Sequence, residues 1–233
     1  MNAAIFAVFA LNFIVIAALP RVFFRKGGRF NLMWWLTAAP LILSAIVVAA
    51  NFVEVPFVTS YRFYTTYPYY DRGVVPIMEQ SMEALSVVFA VASIALIALS
   101  TRSHRVPVSL WHQEDAGPQR LVTYGAYRLI RHPFYTSFLL TLVGTFLYVP
   151  HLGTLAALVY GFVVLNVTAA REERQLASQF GDEYRAYMQR TGRFWPRLPK
   201  RLKWVLLVLV VLAMIAGIVF GAILWYVLSH WSS

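Results

Sequence analysis

Apolar residues fall into long runs separated by short polar stretches. Runs suited to spanning helices lie at about 3–24, 33–53, 80–100, 134–149, 153–170 and 204–228. The fourth and fifth are short for independent spans. Pro150 and Gly153 lie between them, so the pair reads as a tight helical hairpin. The pattern predicts an all-α polytopic membrane helix bundle of about six spans. The loop 54–78 carries Phe57, Tyr61, Phe63, Tyr64, Tyr67, Tyr69 and Tyr70, and Pro56, Pro68 and Pro76 oppose a long helix there. It reads as an aromatic belt at the outer interface, with a lid over a lipid entry as the sharper alternative. Glu79 and Glu83 then share a helical face, and Glu83, the deeper of the two, calls for a partner such as Arg62 or Arg72.

Composition agrees with the runs. Hydrophobic residues make up 60% of the 233, charged residues 13%, and the mean hydropathy is +0.63; a soluble domain needs more polar surface. The net charge of +10 does not point to nucleic acid, because of where it sits. Of the 20 Lys and Arg, all but Arg62 and Arg72 follow the first, third or fifth run. That positive-inside pattern puts the large basic loops in the cytoplasm, against anionic lipid, and both termini outside. The first run lacks the basic residues that precede the apolar core of a cleaved signal peptide. There are no cysteines, which excludes disulfides, a thiol nucleophile and a Cys-based metal site.

The chain divides into an anchoring three-helix part, 1–100, a polar part carrying the candidate chemistry, 101–200, and a last span with its tail, 201–233. In that span Ala213, Gly217 and Gly221 recur every four residues, which suits close packing, within the chain or between two copies in a homodimer.

Two polar clusters flank the hairpin. In Arg131-His132-Pro133-Phe134-Tyr135 the proline fits the first turn of a helix, where its missing N–H is not needed. The free N–H groups and positive dipole end of that helix suit a carboxylate or phosphate. Arg131 adds a positive charge, and His132 and Tyr135 add hydrogen-bonding rings. At the far end lie Arg171-Glu172-Glu173-Arg174. Leu165, Thr168, Glu172 and Gln175 form one helical stripe, with Glu172 at the rim and Thr168 one turn deeper, while Glu173 points about 100° away. The bland alternative pairs both glutamates with Arg171, Arg174 or Arg128 on a wet surface. Antiparallel pairing of the hairpin instead brings Glu172 near His132 and Tyr135, an anion-friendly helix start beside a carboxylate, which suits a zwitterionic cofactor. Downstream, Gly181 is placed to end a helix, and Tyr184 and Tyr187 share a face, either covering a flat ring or anchoring at the interface. His104, His112, His132, His151 and His230 lack zinc-like spacing, so no metal is expected, and no phosphate-binding glycine motif is present.

Taken in order, Leu121-Val-Thr-Tyr-Gly-Ala-Tyr127, Arg131-His-Pro-Phe-Tyr135, Glu172-Glu173 and Phe180-Gly-Asp-Glu-Tyr184 with Tyr187 resemble the isoprenylcysteine carboxyl methyltransferases and the related phospholipid methyltransferases. The resemblance covers about residues 112–196. It implies S-adenosylmethionine bound at the cytoplasmic end of the hairpin, and methyl transfer to a lipophilic small molecule or lipidated acceptor that arrives from the membrane lipids. By position it implies cofactor contacts at Gln119, Arg120, Leu121, Val122, Tyr127, His132, Pro133, Phe134, Tyr135 and Glu172, with Gln113 a further contact upstream. His132, Tyr135 and Glu172 are the implied catalytic group. Two positions depart from the pattern: Ser137 stands where the family usually has glycine, and Thr168 stands where prenylcysteine enzymes place an arginine that grips the acceptor carboxylate. Thr168 and Arg193 are the candidate acceptor contacts.

The expected chemistry is direct in-line transfer from a sulfonium, in which the protein supplies orientation and desolvation. Two alternatives stay open. Sterol reductases with a similar Arg-His-Pro-x-Tyr segment use a nicotinamide cofactor, and a non-catalytic lipid-binding protein could keep the same pocket.

Overall fold

The computed structural model describes residues 7, 9–14, 32–59, 74–103, 121–199 and, beyond them, 201, 202, 204, 205 and 208. The described residues are helical apart from turns and one isolated bridge. In chain order the elements are α1 (Leu32–Phe52), the short α2 (Pro56–Thr59), α3 (Val74–Ser103), a 3-10 turn (Gly125–Arg128), α4 (Pro133–Tyr148) and α5 (Leu152–Arg190). Residues 9–14 are also helical.

The helices are inside-out relative to a soluble bundle. On α1 the buried positions include Thr37, Ser44 and Asn51, while Trp35, Ile42, Leu43 and Ile46 are exposed. On α3, Ser86, Ser93 and Ser100 are buried while Leu85, Val88 and Val91 face out. A helix that hides its hydroxyls and displays its aliphatics is built for lipid, where association rests on close packing and polar contacts between helices. The seam between α3 and α4 shows this. Ser93 Oγ donates to the Ser137 carbonyl and lies 2.8 Å from Thr141 Oγ1, which bonds Asn12 Oδ1; Asn12 Nδ2 donates to the Ala90 carbonyl. Among the described residues three helices are long and apolar enough to cross a membrane: Trp35–Phe52, Gln80–Ser103 and Leu152–Arg190. The chain is thus an integral membrane protein, and three of the six expected spans are found at full length among the described residues. The fourth, α4, has 16 residues. At 1.5 Å per residue it reaches about 24 Å, less than the roughly 30 Å hydrocarbon layer. The first and last expected spans, with Ala213, Gly217 and Gly221, lie largely or wholly outside the described residues. So do residues 60–73 of the aromatic loop, with Arg62 and Arg72.

The hairpin forms as expected. Its turn is capped by His151, whose Nδ1 accepts from the Gly153 N–H at 2.8 Å while Thr154 closes the reciprocal bond to the His151 N–H. At Gly161 the helices come close: a Cβ there would lie 2.4 Å from Leu142 Cδ1 on α4 and 3.4 Å from Pro40 on α1. The fifth run does not stop near residue 170. The helix continues through the charged cluster to Arg190, broken at Gly181, whose φ of 53° and ψ of −125° turn the last segment back. Chain contacts divide the protein into Met1–Trp195 and Pro196–Ser233. Every side chain discussed below belongs to the first unit.

Candidate active site

Two backbone features position the site. Gly125 starts the 3-10 turn with φ +63°, and a Cβ there would lie 1.9 Å from Ser103 Oγ, so the turn sits against the end of α3 as only glycine allows. After α5, residues 191–194 run alongside 129–132. Gly192 N–H donates to the Leu129 carbonyl (3.3 Å), Arg131 N–H to Gly192 (2.8 Å) and His132 N–H to Arg193 (3.1 Å). Thr136 Oγ1 adds a bond to the Phe194 carbonyl at 3.0 Å. The start of α4 is therefore held by the strap that follows α5. Pro133 occupies the first turn and His132 is the N-cap residue, its side chain left free of capping.

Around His132 the polar side chains converge. Tyr135 OH donates to Glu172 Oε1 at 2.7 Å. His132 Nδ1 is 3.2 Å from Glu172 Oε2, and its Nε2 is 3.4 Å from Glu173 Oε1 without the alignment of a hydrogen bond. The imidazole stacks on Tyr135 (centroids 5.4 Å, planes 7° apart) and meets the Phe194 ring edge-on. Burial disfavours the His132 cation, but hydrogen bonding and attraction from Glu172 and Glu173 outweigh it, leaving the pKa above the usual histidine value. Burial first, then the Glu172 carboxylate, push the Tyr127 phenol far above its ordinary range, so Tyr127 is a neutral donor near that glutamate.

Glu173 is the centre of a second group. Arg131 Nε donates to it at 2.9 Å, and Arg193 binds it through Nε (3.2 Å) and an Nη (2.5 Å). Arg131 also donates to the carbonyls of Met188 (3.1 Å) and Thr191. Hydrogen bonding to Glu173 raises the Arg193 pKa, so that guanidinium stays a cation here. Tyr187 OH donates to the Tyr127 carbonyl at 2.6 Å.

The structure thus brings together Tyr127, His132, Tyr135 and Glu172. Pro133 is buried at the helix start, and Phe134 packs on Phe138. Leu121 and Val122 lie half-buried in the stretch before the 3-10 turn, while Gln113, Gln119 and Arg120 lie outside the described residues. Thr168 is fully buried one turn below Glu172. Arg193 is bound to Glu173. Three expectations need correction. Glu173 is not a surface carboxylate paired with Arg171, Arg174 or Arg128; it is 5% exposed and bridges Arg131 and Arg193. Arg131 is not a free charge for a ligand. Tyr184 and Tyr187 are not interface anchors, since both are buried, at 1% and 4% exposure. Phe194 escaped the sequence reading as well; Arg193-Phe-Trp-Pro196 carries no signal beyond two apolar residues ahead of a proline.

The arrangement suits a ligand that carries both charges. Four buried side-chain polar atoms among the described residues lack a hydrogen-bond partner, Ser44 Oγ of α1 among them. Three of them, His132 Nε2, Thr168 Oγ1 and Tyr184 OH, belong to residues at this charged group or one turn from it. Such atoms are costly unless a ligand or water meets them. No group of three or more metal-ligating side chains occurs among the described residues.

Residues 85–183 match the family model for phospholipid methyltransferase, and that stretch contains the whole hairpin with His132, Tyr135 and both glutamates. That stretch, under half of the chain, is similar to the phospholipid methyltransferase family. Similar relatives include a probable protein-S-isoprenylcysteine O-methyltransferase of Oryza sativa subsp. indica, 38% identical over 82 residues, 34% of this chain and 41% of that protein. Methanethiol S-methyltransferase 1 of Bradyrhizobium diazoefficiens is 35% identical over 83 residues, 36% of this chain and 28% of that protein. The cobalt-zinc-cadmium resistance protein CzcN of Cupriavidus metallidurans is 40% identical over 79 residues, 34% of this chain and 36% of that protein. The chain spans well under half the length of these relatives, so the family likeness is concentrated in the hairpin region.

Proposed function

We propose that this protein is a membrane methyltransferase that moves a methyl group from S-adenosylmethionine to a lipophilic acceptor, with the cofactor held at the cytoplasmic end of the hairpin. The observation that carries the reading is the convergence of His132 and Tyr135, at the start of α4, on Glu172 of α5. Free N–H groups of the α4 start would receive the cofactor's carboxylate. Glu172 would bind its ammonium or ribose hydroxyls, and Tyr127 would donate from the side. When bound, S-adenosylmethionine supplies an already activated methyl on a sulfonium. The protein's own residues then bind, orient and exclude water, and no covalent enzyme intermediate is required. Thr168 and Arg193 would be the residues that meet the acceptor.

Binding of labelled S-adenosylmethionine to the full chain in nanodiscs tests this. Micromolar binding, weakened about tenfold or more by Glu172→Ala, is the expected result. Folded protein that binds NADPH more tightly would make it a reductase of the sterol type. Cofactor binding with no methyl transfer to membrane lipids or thiols would leave a non-catalytic lipid-binding protein.

A further inference from the structure

Thr168 shares with Ser44 of α1 a buried hydroxyl that lacks a partner, and of the two it alone lies one turn from Glu172 on α5. A serine or threonine in an apolar helix ordinarily satisfies itself by donating to a carbonyl three or four residues back. Ser100, Ser103, Thr136, Thr141 and Thr145 all do so. Thr168 is 0% exposed, yet its Oγ1 has no partner. The hydroxyl is held off its own backbone in a place where water does not reach it. It lies on the Glu172 face of α5, one turn deeper, where a lipophilic acceptor would bring its reacting end.

Charge at that place is already assigned. Arg131 and Arg193 are both bound to Glu173, and Arg131 is further fixed by two backbone carbonyls. His132 lies between the two glutamates. A carboxylate entering beside Thr168 would lose its hydration, gain no unengaged guanidinium from this group, and face Glu172. A neutral group would meet a hydroxyl that can both donate and accept.

We infer that Thr168 is a specificity-determining residue: its hydroxyl bonds the reacting group of the acceptor, and the site takes a lipophilic thiol or amine in preference to a carboxylate. The inference rests on the methyl-transfer reading. In the step it implies, the acceptor's lone pair bonds the methyl carbon while the donor's sulfur–methyl bond breaks, its electron pair remaining on that sulfur. The proton of the thiol or amine leaves to water at the rim.

The test uses the full chain in nanodiscs with three probes of similar lipid character: a long-chain alkanethiol, a long-chain alkylamine, and an S-prenylated cysteine with a free carboxylate. S-adenosylmethionine affinity is measured first. The expected result is a kcat/KM for the thiol or the amine at least about tenfold above that for the carboxylate. Thr168→Val should raise the KM of the preferred acceptor about five- to tenfold, leave the cofactor Kd within about twofold, and raise the Tm of the cofactor-free protein. Equal or better use of the carboxylate, no transfer to either neutral probe, or an unchanged acceptor KM in Thr168→Val would overturn the inference while cofactor binding stands. Failure of wild-type protein to bind S-adenosylmethionine would remove the methyl-transfer reading itself, and the inference with it.

Discussion

Glu172 and Glu173 are neighbours in sequence yet serve opposite nitrogens of one imidazole, with Glu172 Oε2 3.2 Å from His132 Nδ1 and Glu173 Oε1 3.4 Å from Nε2. Their other partners divide their work. Glu172 binds Tyr135 on the side where a ligand would sit, whereas Glu173 binds Arg131 and Arg193, which tie α4, α5 and the strap after α5 together. Replacing Glu173 by alanine leaves two cations facing each other. Breaking such a buried group costs roughly 3–5 kcal/mol. Arg193 keeps 35% of its side chain in solvent, so we expect a loss near about 3 kcal/mol. Glu172→Ala should cost the fold far less and the cofactor affinity far more. Unfolding curves and cofactor titrations on both variants check the division; equal stability losses would refute it.

His132 should give the protein a pH-dependent stability. Its folded pKa lies above the usual 6.5 because the two glutamates hold the cation. A raised pKa means the stabilisation is complete below the unfolded value and is lost as pH rises through the folded one. The Tm of the cofactor-free protein should therefore fall by a few degrees as pH increases from about 6.5 upward. His132→Gln removes the titrating group and should flatten that slope. An identical slope in the variant would assign the effect to other groups.

Much of this site was legible because it is local. The proline at the start of α4, the hairpin turn at 150–153 and the stripe Leu165–Thr168–Glu172 follow from helix geometry and are found as expected. The role of Glu173 was not legible, because it depends on the strap. Gly181 reverses the chain and residues 191–194 return to residues 129–132, so Arg193 arrives beside a carboxylate twenty positions earlier. Periodicity reports which face a residue occupies, not which distant segment comes to cover that face. The same return buries Tyr184 and Tyr187, which local pattern could equally place at an interface.

Tyr135→Phe isolates the phenol bond to Glu172. The ring stacking on His132 survives, and one hydrogen bond of 2.7 Å to a carboxylate is lost. Bonds to charged groups are worth roughly 1.5–3 kcal/mol, which corresponds to at least about a tenfold weaker cofactor Kd if Glu172 depends on that bond for its orientation. Isothermal titration reads this directly. A Kd within twofold of wild type would show that His132 alone suffices to aim the carboxylate.

Gly125→Ala reaches the site from a distance. The residue has φ +63° and faces Ser103, whose Oγ would lie 1.9 Å from the new methyl and whose Cβ would lie 3.0 Å from it. The left-handed conformation costs a β-carbon residue about 1–2 kcal/mol, and the contact adds to it, so we expect a loss of about 2–3 kcal/mol. Ser103 Oγ already bonds the Leu99 carbonyl in its own helix and has no easy alternative position. In the double variant Ser103→Ala with Gly125→Ala, the nearer clash disappears while the backbone strain remains, so about half the loss should return. Because Tyr127 lies in the turn that Gly125 starts, the single variant should also weaken cofactor binding. If stability falls but the cofactor Kd does not move, the 3-10 turn is a structural joint between α3 and α4 and Tyr127 takes no part in the site.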